Sequence, residues 1–219
     1  MLLKEVRITM WLGSPTNCYV VMDEKTKEAM VIDPAGSIDK IEQILKDENA
    51  QLKYIYLTHC HADHIIGAES LKQRCGGKIL IHKDDYPGLQ DSIINLSIMV
   101  LGKDYELKAD EAVEENQVLK LGELEFRVIH TPGHTKGGSC LYCEQEKCLF
   151  SGDTMFKGTY GRTDLPSSSQ MAIEASIEKL LKLPGDTMVY PGHGSPTTIA
   201  AEAANWTADL GLFESCMKC

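Results

Sequence analysis

The sequence contains little that would suit a membrane or a nucleic acid. No apolar run approaches the ~20 residues that a membrane-spanning helix requires. Basic residues are in deficit, with 22 Lys and Arg against 32 Asp and Glu, whereas a nucleic-acid groove needs a basic face. Charges also interrupt the opening stretch MLLKEVRITMWLG, which therefore lacks the apolar segment of a secretory signal. We expect a cytoplasmic protein with neither membrane nor nucleic acid as a partner.

Cysteine is too sparse to form a disulfide scaffold. The chain has 8 cysteines in 219 residues, and 43% of its residues are hydrophobic, so it can bury a core without cross-links. We expect most thiols to be reduced and buried. In SCLYCEQEKCLF, strand alternation would point Cys140 away from Cys143, which argues against a zinc site there. The terminal pair Cys216 and Cys219 has a spacing that suits redox or metal chemistry, but it has no second ligand pair.

Apolar residues alternate along the chain between the period of strands and the period of helices. Strands are expected in NCYVVMD, LKYIYLT and KILIH, and helices in IDKIEQILKD and SQMAIEASIEKLLKL. Both halves of the chain combine strands with helices, and no internal repeat or Pro/Gly-rich linker separates them. This predicts one α/β domain over residues 1–219, a four-layer αββα sandwich. Residues 84–116 have no regular pattern, and the sequence assigns them no chemistry beyond a lid or part of a wall.

Histidine is scarce, and its distribution is uneven. Three of the 7 histidines lie within residues 58–64, THCHADH, directly after the buried-type strand LKYIYLT. A packed core does not favour such a cluster, because neutral imidazoles need buried partners and charged ones repel one another. The candidate functional residues of this segment are His59, His61, Asp63 and His64.

Three further motifs place candidate side chains beside glycine or proline at the ends of apolar runs. TPGHT contributes His134, SGDT contributes Asp153 and YPGH contributes His193. With THCHADH this makes seven imidazole and carboxylate donors, which suit zinc, iron or manganese. Seven are too many for one tetrahedral ion but suit two ions about 3.5–4 Å apart, and Asp153 is the natural bridge because a carboxylate has two oxygens. Asp33 in VIDPAG either braces the metal loops or opens a turn.

These motifs resemble those of the metallo-β-lactamase superfamily, from about residue 5 to residue 200. The signature is His-x-His-x-Asp-His with His, Asp and His downstream, and VIHTPGHTKGG, FSGDTMF and GRTDLP are similar to the short glyoxalase II-like hydrolases. The resemblance implies the four-layer fold and two divalent metal ions, with zinc expected and iron or manganese as alternatives. It implies that one ion is held by His59, His61 and His134, that the other is held by Asp63, His64 and His193, and that Asp153 lies between them.

The resemblance further implies the hydrolysis of a small-molecule substrate, most simply a thioester. A metal-bridging hydroxide would attack the carbonyl, with Asp63 as the catalytic residue that holds its proton. A thiolate, whose conjugate acid has a pKa of ~8.5, leaves without an acid catalyst, whereas an amine or alkoxide needs one. Tyr160 is the best spare proton donor, or an aromatic packed on a loop. Arg162 is positioned to bind a substrate carboxylate, or pairs with Asp164 or another loop acid.

Three other interpretations remain open. A persulfide dioxygenase, which also shows THCHADH and GRTD, would use one iron held by His59, His134 and Asp153. A lactonase would use Tyr160 as its proton source, and a fold used only for binding or regulation would need no chemistry. Full-length glyoxalase II has a C-terminal helical domain that contacts glutathione, whereas this chain ends 26 residues after His193. This argues against glutathione as the thiol carrier and leaves another small thioester or a different ester.

Overall fold

Two six-stranded sheets make up the frame of the computed structural model, which describes residues 1–9 and 15–206. In spatial order the first sheet contains β1 (Leu2–Ile8), β2 (Thr16–Met22), β3 (Glu28–Ile32), β4 (Gln51–Leu57), β5 (Lys78–His82) and β6 (Glu111–Val113). The β1–β2 and β2–β3 pairs are antiparallel, and the three pairs from β3 to β6 are parallel. Parallel neighbours need crossover connections, which here contain α1 (Ile38–Asp47) and, after the short α2 (Ala62–Ile65), α3 (Ala68–Cys75).

The second sheet has the spatial order β14, β13, β10, β9, β8, β7. Its strands along the chain are β7 (Val118–Leu121), β8 (Leu124–His130), β9 (Ser139–Cys143), β10 (Cys148–Gly152), β13 (Met188–Pro191) and β14 (Thr197–Thr198). The β10–β13 pair is parallel, and its crossover contains the hairpin of β11 (Met155–Phe156) and β12 (Thr159–Tyr160) followed by α5 (Gln170–Leu180). Helical residues 199–206 follow β14.

Three apolar clusters separate four layers. All seven residues of β2 are buried because the strand is covered on both faces. Its side chains alternate, so Val20 faces α1 and α3 while Tyr19 and Val21 face the second sheet. On the far side of the second sheet, Ile177 and Leu180 of α5 pack on its outer face. Each buried aliphatic side chain contributes about 1.5–3 kcal/mol to folding. The predicted αββα sandwich is therefore confirmed.

The candidate residues lie at one edge of the sandwich, where strands of both sheets end. THCHADH follows β4, TPGHT follows β8, Asp153 follows β10 and His193 follows β13. Backbone hydrogen bonds join the two sheets at this edge: the Asn17 amide donates to the Gly192 carbonyl at 2.7 Å, and the Ser139 amide donates to the Thr58 carbonyl at 2.9 Å. The loops that carry the candidates are thus tied to each other before any ligand is considered.

Residues 84–116 have more structure than their pattern predicts. They contain a 3₁₀ turn over Pro87–Gln90, the helix α4 (Ser97–Leu101) and β6, which extends the first sheet. The segment PTTIAAEAANW contains the two residues of β14 before its helix begins at residue 199. Within residues 1–9 and 15–206, no helix is both long and apolar enough to span a bilayer.

The cysteines behave as the sequence predicts within the described residues. Cys140 packs with α5, whereas Cys143 and Cys148 lie between the sheets, so the first two diverge as strand alternation requires. The six described cysteines are free thiols: Cys18, Cys60, Cys75, Cys140, Cys143 and Cys148. The pair Cys216 and Cys219 lies outside the described residues.

Candidate metal centre

The segment after β4 presents its donors in two ways. His61 has extended backbone angles, φ −67° and ψ 143°, so His59 and His61, two positions apart, point to the same side. Cys60, between them, points the other way into the core. The chain then turns into α2, whose first turn carries Asp63 and His64.

Three imidazoles form what we call the first triad: His59, His61 and His134. Their ring centroids lie 4.7 Å (His59 to His61), 4.9 Å (His59 to His134) and 4.6 Å (His61 to His134) apart. The Nε2 atoms of all three are buried and have no hydrogen-bond partner among the described residues. Three buried, unpartnered ring nitrogens that face one another are costly unless they share a ligand.

A second triad consists of Asp63, His64 and His193. The Nε2 of His193 lies 3.2 Å from the Nε2 of His64 and 3.4 Å from Oδ2 of Asp63. Asp153 stands between the triads. Its Oδ2 is 3.6 Å from the Nε2 of His134 and 3.5 Å from the Nε2 of His193, and its Oδ1 is 3.5 Å from the Nε2 of His64. The structure thus brings together all seven side chains that the sequence singled out.

Backbone carbonyls set the tautomers of two of these rings. Nδ1 of His134 donates to the carbonyl of Arg162 at 2.9 Å, and Nδ1 of His193 donates to the carbonyl of Pro15 at 3.0 Å. A carbonyl can only accept, so the proton of each neutral ring sits on Nδ1 and the Nε2 lone pair faces the centre. This is the arrangement in which histidine binds a metal.

The Asp33 carboxylate supports the THCHADH segment, and its backbone lies in the left-handed region. Its carboxylate accepts hydrogen bonds from the amide of Thr58 at 2.8 Å, from the Thr58 hydroxyl at 2.7 Å and from Nδ1 of His64 at 2.9 Å. Its φ of 51° lies in the left-handed region, which Asp tolerates better than most residues. Asp33 therefore fixes the start of the THCHADH segment and orients His64.

The centre combines neutral imidazoles with a strong negative field. Burial and the neighbouring imidazoles lower the pKa values of His59 and His61 well below the ordinary range. Burial also opposes the charged form of His64, but the carboxylates of Asp153, Asp63 and Asp33 outweigh it and raise the pKa of His64 to about 10. The neutral nitrogen donors of His59 and His61, together with carboxylates that attract positive charge, are what divalent cations require, so the residues present fit metal ions.

Comparison with known proteins identifies the family. The family model described as the metallo-beta-lactamase superfamily matches residues 11–193, which span both triads. The chain belongs to the metallo-beta-lactamase superfamily. The hydroxyacylglutathione hydrolase GloC of Haemophilus influenzae is 34% identical to this superfamily member, over 85% of the chain and 89% of GloC. The resemblance to glyoxalase II-like hydrolases is thereby confirmed.

Solved structures of the superfamily agree with this fold. The BLEG-1 B3 metallo-beta-lactamase superposes with a TM-score of 0.84 and 34% identity, over 92% of this chain and 96% of that one. TTHA1623, in a di-iron-bound form, gives a TM-score of 0.77 and 30% identity, over 90% of this chain and 97% of that one. The metallo-beta-lactamase fold binds divalent metals, and the clusters found here are those in which it would do so.

A cavity of about 460 Å³ opens onto the centre of this metallo-beta-lactamase-fold protein, and both predicted substrate residues line it. Arg162 forms a bidentate ion pair with Asp164, at 2.6 and 2.7 Å. The Tyr160 hydroxyl accepts a hydrogen bond from the Gln170 amide at 2.9 Å, and its ring packs edge-on against Trp206. The structure thus shows the ion pair of Arg162 and the packed ring of Tyr160, and contact with a substrate stays a prediction for both residues.

Asp85, a buried carboxylate that joins two ligand loops, is not among the residues that the sequence singled out. It accepts hydrogen bonds from the Cys60 amide, the Thr135 hydroxyl and the Gly137 amide. It follows β5 by three residues, at the same edge of the sheet as the other candidates. That position after a strand was the available signal, but KDD there also suits a polar turn.

Proposed function

We propose that this chain is a metal-dependent hydrolase of small thioesters that works with two divalent ions. The observation that carries the proposal is the arrangement of the two triads on either side of Asp153, with a cavity open to both. The relationship to a hydroxyacylglutathione hydrolase supports thioesters as the substrate class.

The residues that would hold the ions follow from their contacts. His59, His61 and His134 would hold one ion, Asp63, His64 and His193 the other, and Asp153 would contact both. Ions held there would lower the pKa of a bound water from ~15.7 toward ~7 and so make hydroxide available at neutral pH. Zinc is the expected metal, iron is supported by the di-iron-bound TTHA1623, and manganese suits the same donors.

Asp63 is the carboxylate best placed to take a proton from the attacking water. Its side chain is 27% exposed and lines the cavity, whereas the side chain of Asp153 is 10% exposed. Oδ2 of Asp63 lies 3.4 Å from the Nε2 of His193, so the carboxylate faces the centre. Asp63 can therefore hold the proton beside the reacting carbonyl while its neighbours hold the geometry.

Thioesters place the smallest demand on the remaining side chains. A thiolate leaves without protonation, and the histidines that line the cavity belong to the triads. Tyr160 accepts from Gln170, so its own proton is free to be donated, and lactone opening would use it. Tyr160→Phe should thus leave thioester hydrolysis within about twofold and abolish any lactone opening.

The decisive experiment measures metal content in protein purified without added metal, together with four reactions. These are thiol release from a thioester, oxygen uptake with a persulfide, lactone opening and β-lactam opening. Two ions per chain and thiol release without oxygen uptake support the proposal. A single iron with oxygen consumption identifies a persulfide dioxygenase and overturns it, as does exclusive opening of a lactone or β-lactam.

Substitution at Asp63 adds a test of mechanism. Asp63→Asn should lower kcat by about 10²-fold or more, because it removes a positioned proton acceptor. Asp186→Asn is the matched control, since Asp186 is an exposed carboxylate paired with Lys147 and does not line the cavity. Equal activity of the two variants would contradict the assignment of Asp63.

A further inference from the structure

The cavity lining has an apolar part, which comes largely from residues 84–116, the segment to which the sequence assigned no chemistry. We call it the apolar wall. Leu96 precedes α4, and Met99 and Val100 lie within it. Phe156 of β11 and Leu165 are the other apolar residues of this part of the lining. Five apolar side chains thus share a cavity with the polar centre, a composition typical of small-molecule sites.

Asn95 fixes the α4 part of the apolar wall relative to the metal centre. The Asn95 carbonyl accepts from the amide of Ala62 at 2.7 Å, and Ala62 lies between His61 and Asp63. The Asn95 side chain, fully buried, accepts from the Ser97 amide and donates to the Tyr105 carbonyl, both at 2.9 Å. The same residue therefore links α4 to α2, the helix that carries Asp63 and His64, through hydrogen bonds.

Two features of the wall indicate a ligand. Leu96 has φ 62°, a left-handed conformation that is rare for a bulky side chain and that accumulates at functional sites. Met99 remains 56% exposed although it lines the cavity. An apolar group that fills this space would remove Met99 and Val100 from water.

The charges of the cavity lining also favour an uncharged substrate group. Arg162 is the one lysine or arginine that lines it within residues 1–9 and 15–206, and Asp164 balances its charge through two hydrogen bonds. A substrate arm that carries carboxylates therefore finds no unpaired cation on the described lining. A neutral arm loses no hydration of charge when it enters.

We propose that the apolar wall binds a neutral alkyl or aryl group of the substrate. The proposal rests on the proposed function and narrows its substrate class to thioesters with an apolar substituent. The group belongs either to the acyl part or to the thiol part, and both present the same chemistry to the wall.

Two series of thioesters test the proposal and locate the apolar group. One series lengthens the acyl chain on a fixed small thiol, and the other lengthens the thiol on a fixed acetyl group. In one series kcat/KM should rise about fourfold per added methylene, the factor that corresponds to ~0.8 kcal/mol, until the wall is filled. The kcat/KM for a glutathione thioester should not exceed that for a neutral thioester with the same acyl group.

Variants on α4 provide the matched comparison. Met99→Ser should lower kcat/KM by about tenfold for the longest substrate and by less than twofold for the shortest. Ile98→Ser is the control, because Ile98 is similarly exposed (51%), belongs to the same helix and does not line the cavity. Flat responses in both series, equal effects of the two variants or a tenfold preference for glutathione would overturn the proposal.

Calorimetry separates this inference from the proposed function. Binding of n-alkyl carboxylates and n-alkanethiols of increasing length to the metal-loaded protein needs no turnover. An affinity that increases with chain length supports the apolar wall even if no thioester is cleaved. Met99→Ser should weaken this dependence on chain length, and Ile98→Ser should not. Thiol release combined with length-independent binding would reject the wall and leave the hydrolase in place.

Discussion

Replacement of Asp85 is expected to loosen the two loops that carry the first triad. The Asp85 side chain is 2% exposed, and its Oδ2 accepts from the Cys60 amide at 3.0 Å and from the Thr135 hydroxyl at 2.7 Å. Its Oδ1 accepts from the Gly137 amide at 2.5 Å. Cys60 lies between two ligands of the triad and Thr135 follows the third, so one carboxylate spans both loops.

The expected loss of unfolding free energy follows from the hydrogen-bond donors that lose their partner. Asp85→Ala leaves three donors without a partner, at about 1–3 kcal/mol each. Burial raises the pKa of Asp85, so part of this loss is offset when the buried charge is removed. We expect a net loss of about 3–5 kcal/mol of unfolding free energy. Asp85→Asn keeps one accepting oxygen but turns an amide N–H toward Gly137, and should lose about 1–3 kcal/mol.

Urea unfolding and metal competition together measure this effect. Affinity for the ion at the first triad should fall about 10–100-fold in Asp85→Ala, the range typical when a residue that supports ligands is removed. Asp110→Ala is the control, because Asp110 accepts from Lys72 and the Ile79 amide and touches neither loop. Unchanged metal affinity in Asp85→Ala, or an unfolding free energy within 1 kcal/mol of the parent, would refute the reasoning.

Three further changes have defined outcomes. Asp153→Ala should abolish activity and lower metal occupancy at both triads, as measured by metal analysis, and retention of two ions would contradict its place between them. Asp164→Asn should free the charge of Arg162 and lower KM for a carboxylate-bearing thioester but not for a neutral one, and equal shifts for both substrates would exclude an anion contact. Burial and the stacked ring of His130 lower the pKa of His82 to about 4, so native stability falls as pH drops from about 6.5 toward 4. In His82→Asn, the unfolding free energy measured in urea should fall less between these two pH values, by up to about 3 kcal/mol. The same pH dependence in the variant and the parent would contradict this.

The fold could be predicted because its signals are local and repeated. β2 and β4 are apolar runs of strand length, and α1 carries its apolar residues at helical spacing. β6 has three residues and α4 has five, which is too short for either period to be recognised. The positions of β6 and α4 depend on contacts with β5 and α2, which a single sequence does not encode locally.

The candidate site could be predicted as a set of residues but not as a geometry. Rare residue types after apolar strands were enough to select all seven donors. Their division into triads was implied by family resemblance, because spacing along the chain does not give distances across two sheets. Asp84 and Asp85 are identical neighbours in the sequence, yet their side chains are 35% and 2% exposed. Only the tertiary fold distinguishes the surface carboxylate from the one that joins two loops.

Part of the centre is built from backbone atoms, and this explains why its sequence signal stops at the ligands. The carbonyls of Pro15 and Arg162 orient His193 and His134, and any residue at positions 15 and 162 would supply a carbonyl. The side chain of Arg162 lines the cavity while its carbonyl holds a ring of the first triad. The backbone path of the 162–164 loop therefore couples ligand geometry to the substrate wall, and substitutions that keep this path can change substrate preference without changing how the imidazoles are held.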